Sequence, residues 1–393
     1  MIKVISSSFS TFHMVEQARQ LERLNILKNF ITGIPKFASS KHQLPKDKVI
    51  SIWKSFAISY MNNKLRFLSN QFIFDYLVKT SHITFSKDLA KNLKNDADFF
   101  IGLSSFSYHA LLKANKIGIT SIIDHGSLHQ RFELNEIIKE SEKYGFKIGG
   151  NSRYKWLIEE QDKEFEKANK VLVLSNLAKE TFIKEGVDES KILVNNLGVS
   201  VNQFRPFKKE DNVYRVLFCG NLVPAKGLHY LLKSFTKLNL PNSELWLIGD
   251  QGYLKNDKTF NEYIKKYCSN KVIFKGVFPS NKISRYFSQC SLLVLPSLAD
   301  GFGKVVCEAM ACKLPVIVSE NTGAKDFVIN DFNGYIVPNR DSYAISGILE
   351  KLYLNPSKLI YLGDNAYKYA KNNCTWDKYG DRLYNLLMQN LNK

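Results

Sequence analysis

The sequence predicts an α/β protein made of two doubly wound domains. The chain of 393 residues is longer than a single hydrophobic core usually supports, so two domains are expected. Short β-rich runs alternate with longer runs of helical periodicity, which is typical of parallel sheets covered by helices on both faces. This alternation stops near residue 200 and restarts at Val213.

The predicted strands form two series, and the segment between them marks the domain boundary. The first series contains Ile2–Ser6, Phe99–Leu103, Ile119–Ile123, Val171–Leu174 and Ile192–Asn195, with a helical pattern over Val15–Phe30. The second contains Arg215–Cys219, Leu245–Ile248, Lys271–Phe274, Leu292–Leu295 and Pro315–Val318. The segment Val201–Asn212 carries Pro206 and a run of charges, and we interpret it as the linker. We therefore predict domains over 1–207 and 208–375. A last helix near Asp377–Asn390 has its apolar residues on one stripe and must pack against another element.

The composition excludes several classes of protein. Hydrophobic residues make up 45% and charged residues 23%, so disorder and coiled coil are poor interpretations. The sequence has no apolar run of about 18 residues, and Met1–Phe12 is too polar for a signal peptide, so we expect a cytoplasmic protein. The six cysteines have no C-x-x-C pair, and we expect reduced, mostly buried thiols.

The net charge of +18 favours an anionic partner, and the excess is concentrated in one region. Between Lys28 and Lys94 there are twelve Lys or Arg and three Asp. Aromatic residues are interleaved with them: Trp53, Phe56, Tyr60, Phe67, Phe72, Phe74 and Tyr76. This mixture suits an anionic membrane surface, such as the inner face of the cell membrane, or an anionic polymer. A solvated basic face over an ordinary core is the alternative.

The segment Leu292–Ser319, LLVLPSLADGFGKVVCEAMACKLPVIVS, is the most informative one. A strand ends at Pro296, a loop carries Asp300, Gly301, Phe302 and Gly303, and a helix begins near Lys304. Free amides at a helix start can receive a diphosphate, and Glu308, about one turn later, could reach the hydroxyls of a ribose. An ordinary strand, loop and helix with a surface acid is the alternative.

Two further segments end in glycines after a strand. Val216–Phe235 contains Gly220, Asn221 and the pair Lys226-Gly227 before an amphipathic helix, and Leu245–Gly252 places Gly249 after a strand. A lysine at a helix start can present a point charge to a phosphate. Because doubly wound sheets bind ligands at the carboxyl ends of their strands, we expect all three loops to line one cleft.

In order and spacing, these segments resemble the retaining glycosyltransferases of the GT-B type, known as glycosyl transferases group 1 or family 4. GNLVPAKG resembles the G-R-L-x-x-x-K-G phosphate loop of that family, LWLIGDQG its strand ending in G-x-G, and PSLADGFGKVVCEAMA its E-x7-E motif. The resemblance extends from about Ser121 to the C-terminus. It implies two facing Rossmann-like domains, with the last helix (376–393) crossing back to the first domain.

The resemblance also implies a role for individual residues. Lys226 would bind the diphosphate, Glu308 the ribose and Asp300 the donor sugar, with Gly220, Asn221, Gly249, Gly301, Phe302, Gly303 and Lys304 completing the donor site. His125 stands where the family often places a histidine on the donor sugar, although a structural histidine is the alternative. Asn221 replaces a usual arginine, and Asp300 replaces the first glutamate with a side chain about 1.5 Å shorter.

The implied activity is transfer of a sugar, with retention and without a metal or cofactor, from a nucleotide-diphosphate sugar to a lipid-linked or glycan acceptor. Asp96-Ala97-Asp98 is the one Asp-x-Asp, but it precedes a strand at the end away from the cleft, so we interpret it as a solvated turn. A nucleotide-sugar epimerase and an inactive binding protein with the same fold remain alternatives. We expect no specific nucleic-acid partner, because no recognition motif accompanies the charge.

Overall fold

The structure, a computed structural model that describes residues 2–35, 43–64, 71–147 and 151–391, contains two parallel sheets. The strands of the first are β1 (Val4–Ser8), β2 (Leu27–Thr32), β3 (Val49–Ser51), β4 (Phe99–Leu103), β5 (Thr120–His125), β6 (Lys170–Val173) and β7 (Ile192–Val194). They pair in the order β3-β2-β1-β4-β5-β6-β7, every pair parallel.

Helices cover both faces of this sheet. They are α1 (Met14–Arg23), α2 (Lys54–Lys64), α3 (Gln71–Lys91), α4 (Tyr108–Lys116), α5 (Gln130–Tyr144), α6 (Asn151–Lys167) and α7 (Asn176–Lys184). In α1, Met14, Ala18 and Leu21 are fully buried and form one face of the helix against the sheet. The apolar side chains on the two faces of the sheet form two separate buried clusters, which the helices on each face complete.

The second sheet repeats this arrangement. Its strands are β8 (Tyr214–Cys219), β9 (Ser243–Ile248), β10 (Val272–Gly276), β11 (Leu292–Leu295), β12 (Val316–Ser319) and β13 (Gly334–Val337), in the parallel order β10-β9-β8-β11-β12-β13. Its helices are α8 (Leu228–Leu238), α9 (Gly252–Asn256), α10 (Lys258–Tyr267), α11 (Ser280–Ser288), α12 (Val305–Ala311), α13 (Ser342–Tyr353) and α14 (Pro356–Asn373). The prediction of an α/β protein with two parallel sheets is confirmed.

The last helix, α15 (Trp376–Gln389), crosses back to the first domain as predicted. Tyr379 is fully buried, and its hydroxyl accepts a hydrogen bond of 2.9 Å from Nε2 of Gln17 on α1. Arg23 of α1 donates to Asp381 at 2.5 Å. The crossing helix α15 therefore packs against α1 through buried as well as exposed contacts.

The helix predicted over Val15–Phe30 is wrong in its second half. Helix α1 ends at Arg23, and Leu27–Thr32 is the strand β2 beside β1. Asn25 has a φ of 58°, a left-handed conformation that ends the helix and turns the chain. Strand β1 lies two residues later than predicted, while the strands β2, β3 and β13 had not been assigned from the sequence.

The carboxyl edges of the two sheets face each other across a cleft. Ser175, which follows β6, donates to the carbonyl of Gly301 in the opposite domain at 2.7 Å. The backbone N–H of Asn176 donates to Asp326 at 2.8 Å. The connecting segment lies between Val194 and Tyr214, where the predicted boundary at 207 and 208 falls.

Candidate active site

Three loops meet at the carboxyl edge of β9, β8 and β11. The loop after β8 contacts the loop after β9 through Leu222, whose N–H donates to the carbonyl of Asp250 at 3.1 Å. It contacts the loop after β11 through Leu298, whose N–H donates to the carbonyl of Ala225 at 2.8 Å. The two strand-ending glycines, Gly220 and Gly249, lie at the start of these loops. The segments singled out in the sequence therefore form one surface.

Gly227 shows why this surface needs glycine. Its φ is 68°, and a Cβ at this position would lie 1.8 Å from the carbonyl oxygen of Pro296. No other residue type could occupy this position without moving the loop after β11. Lys226, immediately before it, is thereby held beside that loop.

The side chains of Lys226 and Asp300 form an ion pair. Nζ of Lys226 lies 2.5 Å from Oδ2 of Asp300, with 27% of the lysine side chain and 12% of the aspartate side chain exposed. The Asp300 carboxyl also receives the Ser297 hydroxyl at 3.4 Å. The residue predicted to bind the diphosphate and the residue predicted to bind the donor sugar are thus neighbours in the cleft.

Glu308 lies in the first turn of α12. Its Oε1 is 3.2 Å from Nζ of Lys304, and only 15% of its side chain is exposed. Burial raises the pKa of this carboxyl, and the nearby Lys304 ammonium opposes the rise. A buried carboxyl with one charged partner is a costly arrangement, which favours a binding role over a purely structural one. Asn221 is exposed at the start of the loop after β8.

The loop after β11 is pressed against the first domain. A Cβ on Gly301 would lie 2.4 Å from Cα of Ser127, so the two backbones touch across the cleft. Phe302 is buried and packs edge-on against Phe327 with ring centroids 5.9 Å apart. Gly303 accepts the N–H of Val306 at 2.9 Å and begins the turn into α12. These contacts fix Asp300 between the domains.

His125 ends β5 and is buried inside the first domain. Its Nδ1 lies 3.0 Å from Oγ of Ser104, and its Nε2 lies 3.1 Å from the carbonyl of Leu128. The rings of Phe165 and Phe182 pack edge-on against it. Burial lowers the pKa of His125 to about 4, so the ring is neutral at physiological pH. The structure brings Lys226, Asp300, Lys304 and Glu308 to one cleft, and it engages both ring nitrogens of His125 away from them.

Three polar residues near the cleft were not identified from the sequence. Nε2 of His13 lies 2.7 Å from Oδ1 of the buried Asp124, at the entrance of the loop after β5. Glu133, in the first turn of α5, accepts a hydrogen bond from the Ser127 hydroxyl and interacts electrostatically with Lys226 and Asp300 of the opposite domain. In the sequence, only the position of Asp124 at the end of a strand, one residue before His125, could have indicated that it lies near the cleft.

The basic, aromatic-rich stretch has an exposed apolar face. Trp53 is 54% exposed, Tyr60 52%, Met61 60% and Tyr76 62%, while Phe74 is buried. Phe67 and the side chain of Phe72 lie outside the described residues. Among the described residues, no helix combines the length and apolarity needed to cross a bilayer.

Asp96 and Asp98 lie at the amino end of β4, away from the cleft. Asp96 pairs with Lys28 at 3.1 Å, and Asp98 accepts the N–H of Lys3 at 2.7 Å. Both acids therefore have structural partners. In the ranges that the structure describes, no cluster of three or more His, Cys, Asp or Glu could hold a metal ion. All six cysteines are free thiols, four of them buried.

Two facing Rossmann-like domains, a cleft between their carboxyl edges and a C-terminal helix that crosses back define the GT-B fold. Sucrose-phosphate synthase from Thermosynechococcus elongatus has this architecture and matches with a TM-score of 0.70 over 99% of both chains, at 16% identity. HepE from Anabaena, solved with UDP and glucose, matches with a TM-score of 0.67 over 99% of this chain and all of its own, at 17% identity. The predicted fold is confirmed.

Residues 200–369 match the family of glycosyl transferases group 1. The capsular polysaccharide biosynthesis glycosyltransferase CapM from Staphylococcus aureus is 30% identical over 240 residues. That alignment covers 56% of this chain and 59% of CapM, so it spans little more than half of the relative. The predicted resemblance to the group 1 glycosyltransferases is confirmed, while the E-x7-E motif and the retention of configuration stay predictions.

Proposed function

We propose that this chain is a retaining glycosyltransferase that moves a sugar from a nucleotide-diphosphate sugar to an acceptor hydroxyl without a metal. The observation that carries the proposal is the Lys226–Asp300 pair at the meeting point of three loops. A cation for a phosphate and an acid for sugar hydroxyls stand side by side where the two domains touch. The match of residues 200–369 to the glycosyl transferases group 1, and the UDP and glucose in the HepE structure, support this assignment.

Donor binding would exchange the partners of this ion pair. The diphosphate would take the Lys226 ammonium, and Asp300 would then accept hydrogen bonds from the sugar. Glu308, 3.2 Å from Lys304, would accept the paired hydroxyls of the ribose, while Lys304 would turn toward the phosphates. Each buried acid would thereby gain a hydroxyl partner, which offsets the cost of its burial.

In the proposed step, the bond between the anomeric carbon and the phosphate oxygen breaks as the acceptor oxygen bonds to the same face of that carbon. The electron pair of the broken bond stays on the departing diphosphate, and the acceptor proton moves to one of its oxygens. Lys226 and the amides of the glycine loop stabilise the developing charge. The closed cleft excludes water, which would otherwise take the place of the acceptor.

We propose that the acceptor is a lipid-linked or surface glycan and that the protein binds peripherally to the inner face of the cell membrane. The exposed aromatic residues of α2 and α3 lie among exposed lysines, including Lys54 and Lys64. Such a surface suits an anionic bilayer. CapM, by its name, acts in the synthesis of a capsular polysaccharide.

The experiment is a screen of purified protein against UDP-, GDP-, ADP- and dTDP-sugars, with and without EDTA, that measures release of nucleoside diphosphate and epimerisation of the sugar. Release that persists in EDTA, with a product of the same anomeric configuration, supports the proposal. Complete loss in EDTA that magnesium or manganese restores contradicts the metal-free step. Epimerised donor without release indicates an epimerase. Binding without turnover across acceptors indicates an inactive binding protein.

A further inference from the structure

Helix α5 belongs to the first domain by sequence, but its second half is fastened to the second domain. Oε2 of Glu136 lies 2.6 Å from Nη1 of Arg340, and Oε2 of Glu140 lies 2.8 Å from Nε of the same guanidinium. Oε1 of Glu140 contacts Nε2 of His229 at 2.7 Å and receives the Tyr230 hydroxyl at 2.8 Å. Glu136 and Glu140 are buried, so these charge-assisted bonds are well shielded from water.

The chain that follows α5 continues the attachment. Phe146 is 2% exposed and packs edge-on against Phe260 of α10, with ring centroids 4.9 Å apart. The N–H of Lys147 donates to Asp257 at 2.8 Å, and the Tyr253 hydroxyl donates to the carbonyl of Lys147 at 2.5 Å. These contacts therefore attach the second half of α5 and residues 144–147 to the second domain.

The first turn of the same helix faces the loops after β8 and β11, which carry Lys226 and Asp300. Residues 133, 136 and 140 are spaced by three and four positions, which places them on one face of α5. Glu133 accepts hydrogen bonds from the Ser127 hydroxyl and, at 3.0 Å, from Nε2 of Gln130. The backbone of Ser127 in turn touches Gly301. Both Lys226 and Asp300 act electrostatically on the Glu133 carboxyl, and burial raises its pKa to about 7.

We infer that Glu133 is a further donor-site residue, which contacts hydroxyls of the donor sugar opposite Asp300. It is positioned by the ion pairs of Arg340 with Glu136 and Glu140, which we call the clamp. This inference rests on the proposed function. A carboxyl within electrostatic reach of a cation and a second acid can accept from one sugar hydroxyl and, when protonated, donate to another. Because these ion pairs attach α5 to the second domain, they set the position of Glu133 relative to Lys226.

The test separates the sugar from the nucleotide. Wild type and the variants Glu133→Ala and Glu133→Gln are titrated calorimetrically with UDP, GDP, UDP-glucose, UDP-galactose and GDP-mannose. Glu133→Ala is expected to bind the free nucleotide within about twofold of wild type and the matching nucleotide sugar about tenfold more weakly. Glu133→Gln, which retains a hydrogen-bonding group, should lie between them. Equal affinity of wild type and Glu133→Ala for the nucleotide sugar would overturn the inference.

A second pair of variants tests the clamp. Arg340→Ala should weaken binding of the nucleotide sugar in the same direction as Glu133→Ala while leaving the free nucleotide unaffected, and Arg340→Lys should restore part of the loss. If Arg340→Ala weakens both ligands equally, or neither, Arg340 does not position Glu133. If wild type binds none of the five ligands and the donor screen is also negative, the proposed function fails, and that outcome differs from failure of Glu133 alone.

Discussion

The ammonium of Lys226 lies 2.5 Å from the carboxylate of Asp300, so two residues 74 positions apart in the chain neutralise each other at the edge of the second sheet. Both side chains of this ion pair are partly buried, so removing either partner would leave the other charge partly shielded from water and uncompensated. The ion pair can serve as a placeholder that a phosphate and a sugar displace together.

The first prediction concerns this pair. Lys226→Met should lower kcat of the transfer reaction by about 10²–10³, because the departing diphosphate loses its cation in a shielded site. Asp300→Asn should lower kcat/KM for the donor while the protein stays folded. The exposed Lys265 provides a control, since it lies in the last turn of α10, at the end of the helix that leads into the amino end of β10, and Lys265→Met removes a charge of the same kind. Wild-type kinetics for Lys226→Met would remove this residue from the reaction.

The second prediction concerns the ribose. Glu308→Gln should weaken donor binding by roughly 1.5–3 kcal/mol, because a hydroxyl loses a charged acceptor. Burial raises the pKa of Glu308, so replacing the charge by an amide should not lower the free energy of unfolding. Calorimetric titration with the donor, together with urea denaturation, measures both effects. An unchanged dissociation constant in the folded variant would exclude Glu308 from the donor site.

The third prediction uses two glycines with similar backbones and different surroundings. Gly227 has a φ of 68° and faces the carbonyl of Pro296, whereas Gly118 has a φ of 76° and, apart from its two chain neighbours, no atom of the described residues within 4 Å of an added Cβ. Gly118→Ala should cost about 1 kcal/mol from backbone strain alone. Gly227→Ala should cost at least about 2 kcal/mol more and should impair donor binding, because the loop after β11 must move. Equal unfolding free energies for the two variants would contradict the close packing of the loops.

The fourth prediction concerns pH. Burial lowers the pKa of His125 to about 4, below the ordinary value of 6.5, so the unfolded chain takes up this proton more readily than the folded one. The contribution to stability is therefore present above pH 6.5 and is lost as pH falls toward 4, by up to about 3 kcal/mol. His125→Gln should reduce the dependence of the unfolding free energy on pH between 7.5 and 5. An identical pH dependence in wild type and variant would show that His125 is not buried in its neutral form.

The fifth prediction concerns the membrane. The folded protein should sediment with anionic liposomes and not with neutral ones, and salt should weaken the binding, since each lysine near an anionic surface contributes about 1 kcal/mol. Reversal of Lys46, Lys54 and Lys64 to Glu should reduce binding. Lys48 is less suitable for reversal because its ammonium lies 2.7 Å from Glu22, so a glutamate there would face a like charge.

A matched control keeps the change in net charge constant. Reversal of the exposed Lys255, Lys265 and Lys282 in the second domain alters the total charge equally but leaves the α2 and α3 surface intact. If both triple variants lose binding to the same extent, only the overall charge matters. If wild type ignores anionic liposomes even at low salt, the stretch is a solvated face, and a soluble acceptor is the better hypothesis.

Much of the donor-side architecture could be predicted because its signals are local. Gly220 and Gly249 follow strands directly, Gly227 and Gly303 lie in the loops after strands, and a parallel sheet brings the ends of its strands to one edge. Lys226 and Asp300 were predicted on the same surface for that reason. Strand β2 was missed because Leu27–Thr32 continues the apolar spacing of α1, and the left-handed Asn25 that separates them leaves no distinctive pattern.

The sequence by itself determined the two parallel sheets, the last helix and the loops that carry the proposed donor-site residues, because hydrophobic periodicity and glycine positions act over a few residues. Only the tertiary structure decided the partners of individual side chains. Arg340 meets Glu136 across 204 positions, and this contact, like the approach of Glu133 to Lys226, exists only after two domains have closed on each other. The neutral state of His125 was likewise decided by Phe165 and Phe182, whose rings remove water from it. Such contacts depend on three-dimensional packing, and no pattern along the chain encodes them one pair at a time.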